Sequence, residues 1–329
     1  MVVESRKLLR RGKRRLTRAA RTLRHWKNAV GDPSAKLVIL LYHRVLPDAT
    51  CNPLDTIVSV ETFTRQLEAV ARRYPVVSLE DALTTRRVGQ RPGRVRVALT
   101  FDDGYWDNYD IVCPILKRKG WTATFFLPTR YIGGRRPLWD WEVVRGLTQC
   151  ADIKDVPVGA ARVRRAPHEA PLAFAYRVMD AMKAASLETM QGALDVLRQR
   201  ARSRWPQEHF YDRCLTWDEA RAMAEGGMEI GAHSVSHRSL ARLPLDDALA
   251  EIRESKQAIE AHVPGPCRHF AFPFGSRNDY TPRLIEAVHA AGFQTSLLNI
   301  HGYNRLGRGV MDFKRIIMTE TTNPGHLLG

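Results

Sequence analysis

Val97-Ala-Leu-Thr-Phe-Asp-Asp-Gly-Tyr105 opens as a largely apolar run, broken only by Thr100, and leads into two adjacent carboxylates and a glycine. A short, largely apolar run fits a strand buried on both faces, as in a parallel sheet. Similar runs stand at 36–42, 122–127, 228–232, 268–272, 293–298 and 313–318. Between them, residues 60–74, 107–120, 216–226, 244–262 and 281–292 carry helical patterns. Apolar strands separated by amphipathic helices predict βα units around a parallel sheet covered on both faces. About seven such strands in one chain favour an α/β fold of the distorted (β/α) barrel type, with an open sheet as the alternative. One interval breaks the rhythm: residues 135–213 are rich in Ala, Arg, Met and Leu and read mostly as helix, above all 171–204. It is expected to be a helical insertion in one loop of a barrel spanning 35–329.

The chain has 329 residues, 44% of them hydrophobic, enough to bury a core without a disulfide or metal to hold it. No run approaches the ~18–20 apolar residues of a membrane-spanning helix. The five cysteines are odd in number and never spaced as CxxC, which argues against a disulfide framework and a cysteine-built zinc site. Reduced thiols and a cytoplasmic location are the expectation. Charge is uneven: residues 1–30 hold eleven Lys/Arg and one Glu, so this arm carries ten of the sixteen net positive charges. Within the arm, 1–34, Leu9, Leu16, Leu23 and Val30 recur every seven residues before Gly31 and Pro33. That pattern predicts a basic amphipathic helix able to lie on an anionic membrane surface, peripheral to the inner face. It lacks the apolar core of a secretory signal, and no aromatic platform interleaves the charges, which argues against nucleic acid.

Four segments carry chemistry, each directly after an apolar run. Asp102 and Asp103 point to opposite sides of a strand unless the chain turns, and Gly104 permits that turn. In Glu229-Ile-Gly-Ala-His-Ser-Val-Ser-His237, His233 and His237 stand four apart, a spacing that one helical turn would bring to a common face. Two imidazoles and a carboxylate suit Zn²⁺ and neighbouring divalent ions. In His269-Phe-Ala-Phe-Pro-Phe-Gly275, Pro273 and Gly275 impose a tight bend able to aim a backbone N–H at a developing oxyanion. Leu40-Leu-Tyr-His-Arg-Val45 places His43 at the end of the first strand. In a closed barrel all four strand ends open on one face.

Together, TFDDG at 100–104, HSVSH at 233–237 and FAFPFG at 270–275 resemble the motifs of the polysaccharide deacetylases, the NodB-homology family of carbohydrate esterases. LYHRV resembles the circularly permuted branch, in which the first strand supplies the histidine. The resemblance implies metal-dependent removal of an N-acetyl group from an amino-sugar glycan. Carried over by position, Asp103, His233 and His237 would bind one divalent ion, Zn²⁺ first, with Co²⁺ or Ni²⁺ as alternatives. Asp102 would be the general base, His43 the general acid, and the Phe274 N–H the oxyanion donor. Tyr105, Trp139, Trp141 and Pro273 are expected to line the sugar site, with Asp140 and Arg135 giving polar contacts. Two features depart from the family. Ala271 stands where an Arg usually holds the catalytic Asp, leaving Arg268 or Arg277 as replacements, and the usual Asp-Trp motif has no clear match in 297–304. Rival readings are a deformylase of a lipid-linked aminosugar and a catalytically silent carbohydrate-binding homologue.

Overall fold

The computed structural model describes residues 37–84, 95–201, 212–305 and 312–323. The basic arm expected at 1–34 lies outside the described residues. In chain order, β1 (Leu37–Tyr42), β2 (Arg44–Leu46) and β3 (Ile57–Ser59) precede helices α1 (Val60–Ala71) and α2 (Leu79–Thr84). Strand β4 (Arg96–Phe101) leads through a π-helical turn, Asn108–Val112, into α3 (Cys113–Arg118) and β5 (Thr124–Leu127). Next come α4 (Trp139–Gln149), the strands β6 (Asp155–Val158) and β7 (Ala161–Arg164), α5 (Pro171–Met182) and α6 (Leu187–Ala201). The remainder is α7 (Trp217–Glu225), β8 (Glu229–Ala232), α8 (Leu245–His262), β9 (His269–Ala271), α9 (Pro282–Ala290), β10 (Thr295–Leu298), β11 (Asp312–Lys314) and β12 (Ile316–Ile317).

Eight strands form one sheet in the order β11-β10-β9-β8-β5-β4-β1-β12, and every pairing within it is parallel. Its two ends are halves of a single segment. Phe313 in β11 pairs with Leu297 of β10, whereas Ile316 in β12 pairs with Leu40 of β1. The sheet is therefore nearly closed on itself, and the seven predicted runs become eight strands because pairing breaks at Arg315.

Strand parity sorts the apolar residues into two sets. Leu37, Ile39, Ala98, Phe126, Ala271, Leu297 and Phe313 cluster together inside the barrel, with Leu79 and Ala82 of α2 packed against them. Val38, Leu40 and Tyr42 face outward and pack with Phe63 and Leu67 of α1. Asp102 has the parity of Ala98 and Thr100, which points it inward at the C-terminal end of β4. The Glu229 carboxylate, at the start of β8, accepts the Leu79 and Glu80 N–H groups and ties α2 to the opposite end. No described helix is long and apolar enough to cross a membrane, and no disulfide links the five cysteines.

The insertion, expected to be mostly helix, also holds a pair of strands. Residues 155–164 make an antiparallel hairpin, with Val156 and Val158 buried on one face and Gly159 turning the chain at φ +60°. Alternation, not helical spacing, governs this stretch. Trp139, Val143, Phe174, Val178, Leu194 and Leu197 give the insertion an apolar cluster of its own. Residues 202–211 of it lie outside the described residues.

Candidate active site

β4 ends at Phe101, and Asp103 and Gly104 then adopt φ of +76° and +61°. This left-handed turn cancels strand alternation and brings both carboxylates to one imidazole. Asp102 Oδ2 lies 3.7 Å and Asp103 Oδ1 3.6 Å from His233 Nε2. Of six non-glycine residues with positive φ among those described, four are Asp103, Ser234, His237 and Phe274. Backbone strain is thus gathered where the predicted motifs meet.

His233 and His237 converge by a different route from the helical turn expected. Residues 233–237 form a loop with left-handed residues at Ser234 and His237. The Ser234 hydroxyl accepts the His237 N–H at 3.0 Å. Glu251, reaching across from α8, accepts the Val235 and Ser236 N–H groups at 2.8 Å each, and Arg238 at 2.9 Å. The His233 Nδ1–H donates to the Ala271 carbonyl at 2.8 Å, which leaves its Nε2 turned towards Asp103. His237 Nε2 stands 3.3 Å from Asp103 Oδ1, and one donor atom from each of the three residues lies within 4.8 Å of the others. A tetrahedral centre with bonds of ~2.0–2.1 Å separates its ligand atoms by ~3.3–3.4 Å. The donor set and its spacing therefore fit a single divalent ion.

Asp102 is not a ligand by geometry: Arg315 claims it. Both guanidinium ends donate to its carboxylate at 2.7 Å, and the pair is fully buried. The expected replacements for the missing Arg at 271 do not serve this role. Arg277 is exposed, and Arg268 faces Glu80 at 3.8 Å. Arg315 also donates to Asn299 Oδ1 at 2.7 Å, while Asn299 Nδ2 donates to the Phe274 carbonyl at 2.8 Å. One amide side chain thus joins the Asp102 brace to the 273–275 turn. A Cβ on Gly275, which sits at φ +57°, would lie 2.7 Å from the Asn299 nitrogen, so only glycine fits there.

The electrostatics separate the two carboxyls from their surroundings. Burial alone would raise Asp102, but the charges of Arg315 and His233 hold it below its ordinary value. Burial likewise opposes ionisation of Asp103, and the hydrogen bond and charge of His237 outweigh it, holding this carboxyl well down. Burial pushes His233 down to about 4, so its imidazole is neutral at pH 7, the form that binds metal. His237 is raised instead, because Asp140 and Asp103 overcome its burial.

His43 stands at the end of β1, close enough for its charge to bear on both Asp102 and Asp103. Its backbone carbonyl is held by Asn108, and its Nδ1 is buried without a partner among the described residues. Phe274 is half-buried, its ring 4.9 Å from that of His237, with the Lys183 ammonium 3.8 Å above its centre. Pro273 is buried in the turn. The aromatic residues expected at a sugar groove are also buried. Tyr105 lies under the Arg44 guanidinium at 4.2 Å, and Arg44 is itself paired with Asp107 and Asp212. Trp139 donates its indole N–H to the His237 carbonyl at 2.9 Å, so it holds the 233–237 loop. Trp141 is 4% exposed, with its indole N–H unpartnered among the described residues.

Arg315, Asn299 and Glu251 went unnoticed in the sequence, although two carried a signal. Arg315 shares strand parity with inward Phe313, and Glu251 falls on the buried stripe of α8 with Ala248, Ile252 and Ser255. A charge at such a position needs a buried partner.

Comparison with known proteins identifies the fold and the family. By fold, the chain is similar to the Streptococcus pyogenes deacetylase PplD, at a TM-score of 0.56 and 20% identity over 89% of this chain and 96% of that one. It is similar to IcaB from Ammonifex degensii at a TM-score of 0.56 and 19% identity, with the same coverage. It also resembles a de-N-acetylase from Aggregatibacter actinomycetemcomitans, at 0.55 and 15%, over 87% and 96%. In sequence, 108 residues are 32% identical to YxkH of Bacillus subtilis (strain 168), named as a polysaccharide deacetylase; they cover 32% of this chain and 37% of that relative. The polysaccharide deacetylase family model matches residues 89–170 and 177–296, taking in the Asp102–Asp103 pair, the 233–237 loop and the 273–275 turn. On that match, the chain belongs to the polysaccharide deacetylase family of hydrolases.

Proposed function

We propose that this chain removes N-acetyl groups from an amino-sugar-containing glycan, using one divalent ion, zinc by preference, held by Asp103, His233 and His237. The observation that carries the reading is the pairing of that three-residue donor set with a second, non-ligating carboxylate, Asp102, fixed by Arg315. When bound, the ion would polarise the acyl oxygen and make the attacking water more acidic.

The chain's own residues supply the rest. Asp102, held ionised and oriented by two charge-assisted hydrogen bonds, accepts the proton of the attacking water. The Phe274 N–H lies on a turn locked by Asn299 and donates to the oxyanion. His43 gives a proton to the departing amine, so the products are acetate and a free amino sugar. We further assign the chain to the circularly permuted branch. Its first strand, directly followed by His43, precedes the family model's matched span and sits beside β12, the last strand of the barrel. Residues 1–30 are assigned to an anionic membrane surface on charge alone.

The test incubates the full chain with a panel of N-acetylated and N-formylated oligosaccharides, with and without chelator. Amine release is read by fluorescamine, and acetate and formate are measured separately. Zinc-dependent acetate release is the expected result. Formate release alone supports the deformylase reading, and tight glycan binding without amine release supports the silent one.

A further inference from the structure

We propose that Asp140, carried to the barrel rim by the first helix of the insertion, is the outer carboxylate partner of His237, so that ion occupancy and the seating of α4 are coupled. The inference rests on the reading that Asp103, His233 and His237 hold a divalent ion.

The two histidines are not equivalent. His233 already has an acceptor behind it, the Ala271 carbonyl at 2.8 Å. His237 has none: its Nδ1 is buried and lacks a hydrogen-bond partner among the described residues. Asp140 Oδ2 stands 3.7 Å from that nitrogen. The other oxygen, Oδ1, is anchored by the Trp141 N–H at 2.9 Å, which fixes the carboxylate at the start of α4. Asp140 is itself only 7% exposed, so an ionised carboxylate here needs a compensating charge or donor. The preceding residue, Trp139, grips the His237 backbone carbonyl. Two successive residues of the insertion therefore address the backbone and the ring of one ligand.

An imidazole that ligates through Nε2 carries its proton on Nδ1, and a carboxylate accepting that proton orients the ring and raises its basicity. Shortening the 3.7 Å separation to a hydrogen bond of ~2.9 Å would draw α4 and the 233–237 loop together. By linkage, whatever an ion gains from the seated helix, the helix gains from the ion.

The test titrates chelator-treated full-length wild type, Asp140→Asn and Asp195→Asn with Zn²⁺ against a competing chromophoric chelator. Asp195→Asn removes the same charge from the insertion's exposed surface. Asp140→Asn should weaken zinc binding about 10- to 100-fold, the usual cost of losing an outer carboxylate, while Asp195→Asn stays within about twofold of wild type. Independently of any variant, zinc should slow hydrogen exchange of the α4 amides in the wild-type chain. Unchanged zinc affinity in Asp140→Asn, an equal loss in Asp195→Asn, or α4 exchange indifferent to zinc overturns the proposal alone. Absence of stoichiometric zinc uptake by wild type overturns the ion-site reading with it.

Discussion

Replacing Arg315 with Met keeps an unbranched apolar stem inside the barrel and deletes the guanidinium that brackets Asp102. Both hydrogen bonds are 2.7 Å, and Asp102 is 1% exposed, so no water takes over. Removing one partner of a buried pair costs about 3–5 kcal/mol when the other stays charged. The alternative is that Asp102 takes up a proton, since the Arg315 charge is what opposes its burial. Either outcome removes the positioned, ionised carboxylate proposed as the general base, a role worth about 10²–10⁴ in rate, or roughly 2.7–5.5 kcal/mol of barrier. Arg315→Met should therefore lower kcat for acetate release by that factor and move the acidic limb of its pH profile upward. Arg315→Lys, which keeps the charge but loses the fork, should fall between Met and wild type. Zinc content by elemental analysis should not change, because Arg315 touches none of the three ligands. Arg268→Met and Arg277→Met should stay within about twofold of wild type, as expected for positions outside the network. Wild-type-like kcat in Arg315→Met, or a rate loss that tracks zinc loss across the variants, would refute the reasoning.

Asp102→Asn should retain stoichiometric zinc while losing activity, whereas Asp103→Asn should lose the zinc; elemental analysis after gel filtration decides, and the reverse result exchanges their roles. Gly275→Ala forces a Cβ to within 2.7 Å of the Asn299 nitrogen at positive φ, so thermal denaturation should show a loss of at least ~1 kcal/mol together with reduced kcat. Trp139→Phe removes one hydrogen bond to the His237 carbonyl and should cost ~0.5–1.5 kcal/mol of stability by denaturant titration. His269, buried at the far end of the barrel with Thr295, is pushed down to about 4 by burial. Its folded value lies below its unfolded value of ~6.5, so protonation favours unfolding. Stability from this group is complete above pH 6.5 and is lost as pH falls towards 4, by up to about 3 kcal/mol. Melts of His269→Gln should show a shallower decline across that window; an identical acid decline would exclude His269 as its source.

How much of this was legible beforehand follows from the range of the forces involved. The barrel strands were readable because burial on both faces makes most of their positions apolar, and that requirement is local. The three motif segments and His43 were readable because they fall directly after such strands, where a barrel gathers its strand ends. The 155–164 hairpin was not read because its apolar residues are few and its neighbours are strongly helical. The 233–237 spacing was right for convergence but not for a helix: left-handed backbone at Ser234 and His237, braced by Glu251, does what a helical turn was expected to do.

The sequence by itself determined a parallel α/β sheet, a barrel by preference, and the motif residues that follow its strands, since strand burial and chain turns act over a few neighbouring positions. Which cation would hold Asp102 was decided only by closure. Arg315 lies 213 positions away and reaches the carboxylate because the last segment pairs first with β10 and then with β1. The carboxylate behind His237 likewise comes from the insertion, 97 positions upstream. Local patterning specifies which way a strand residue points; only the assembled barrel specifies what it finds there.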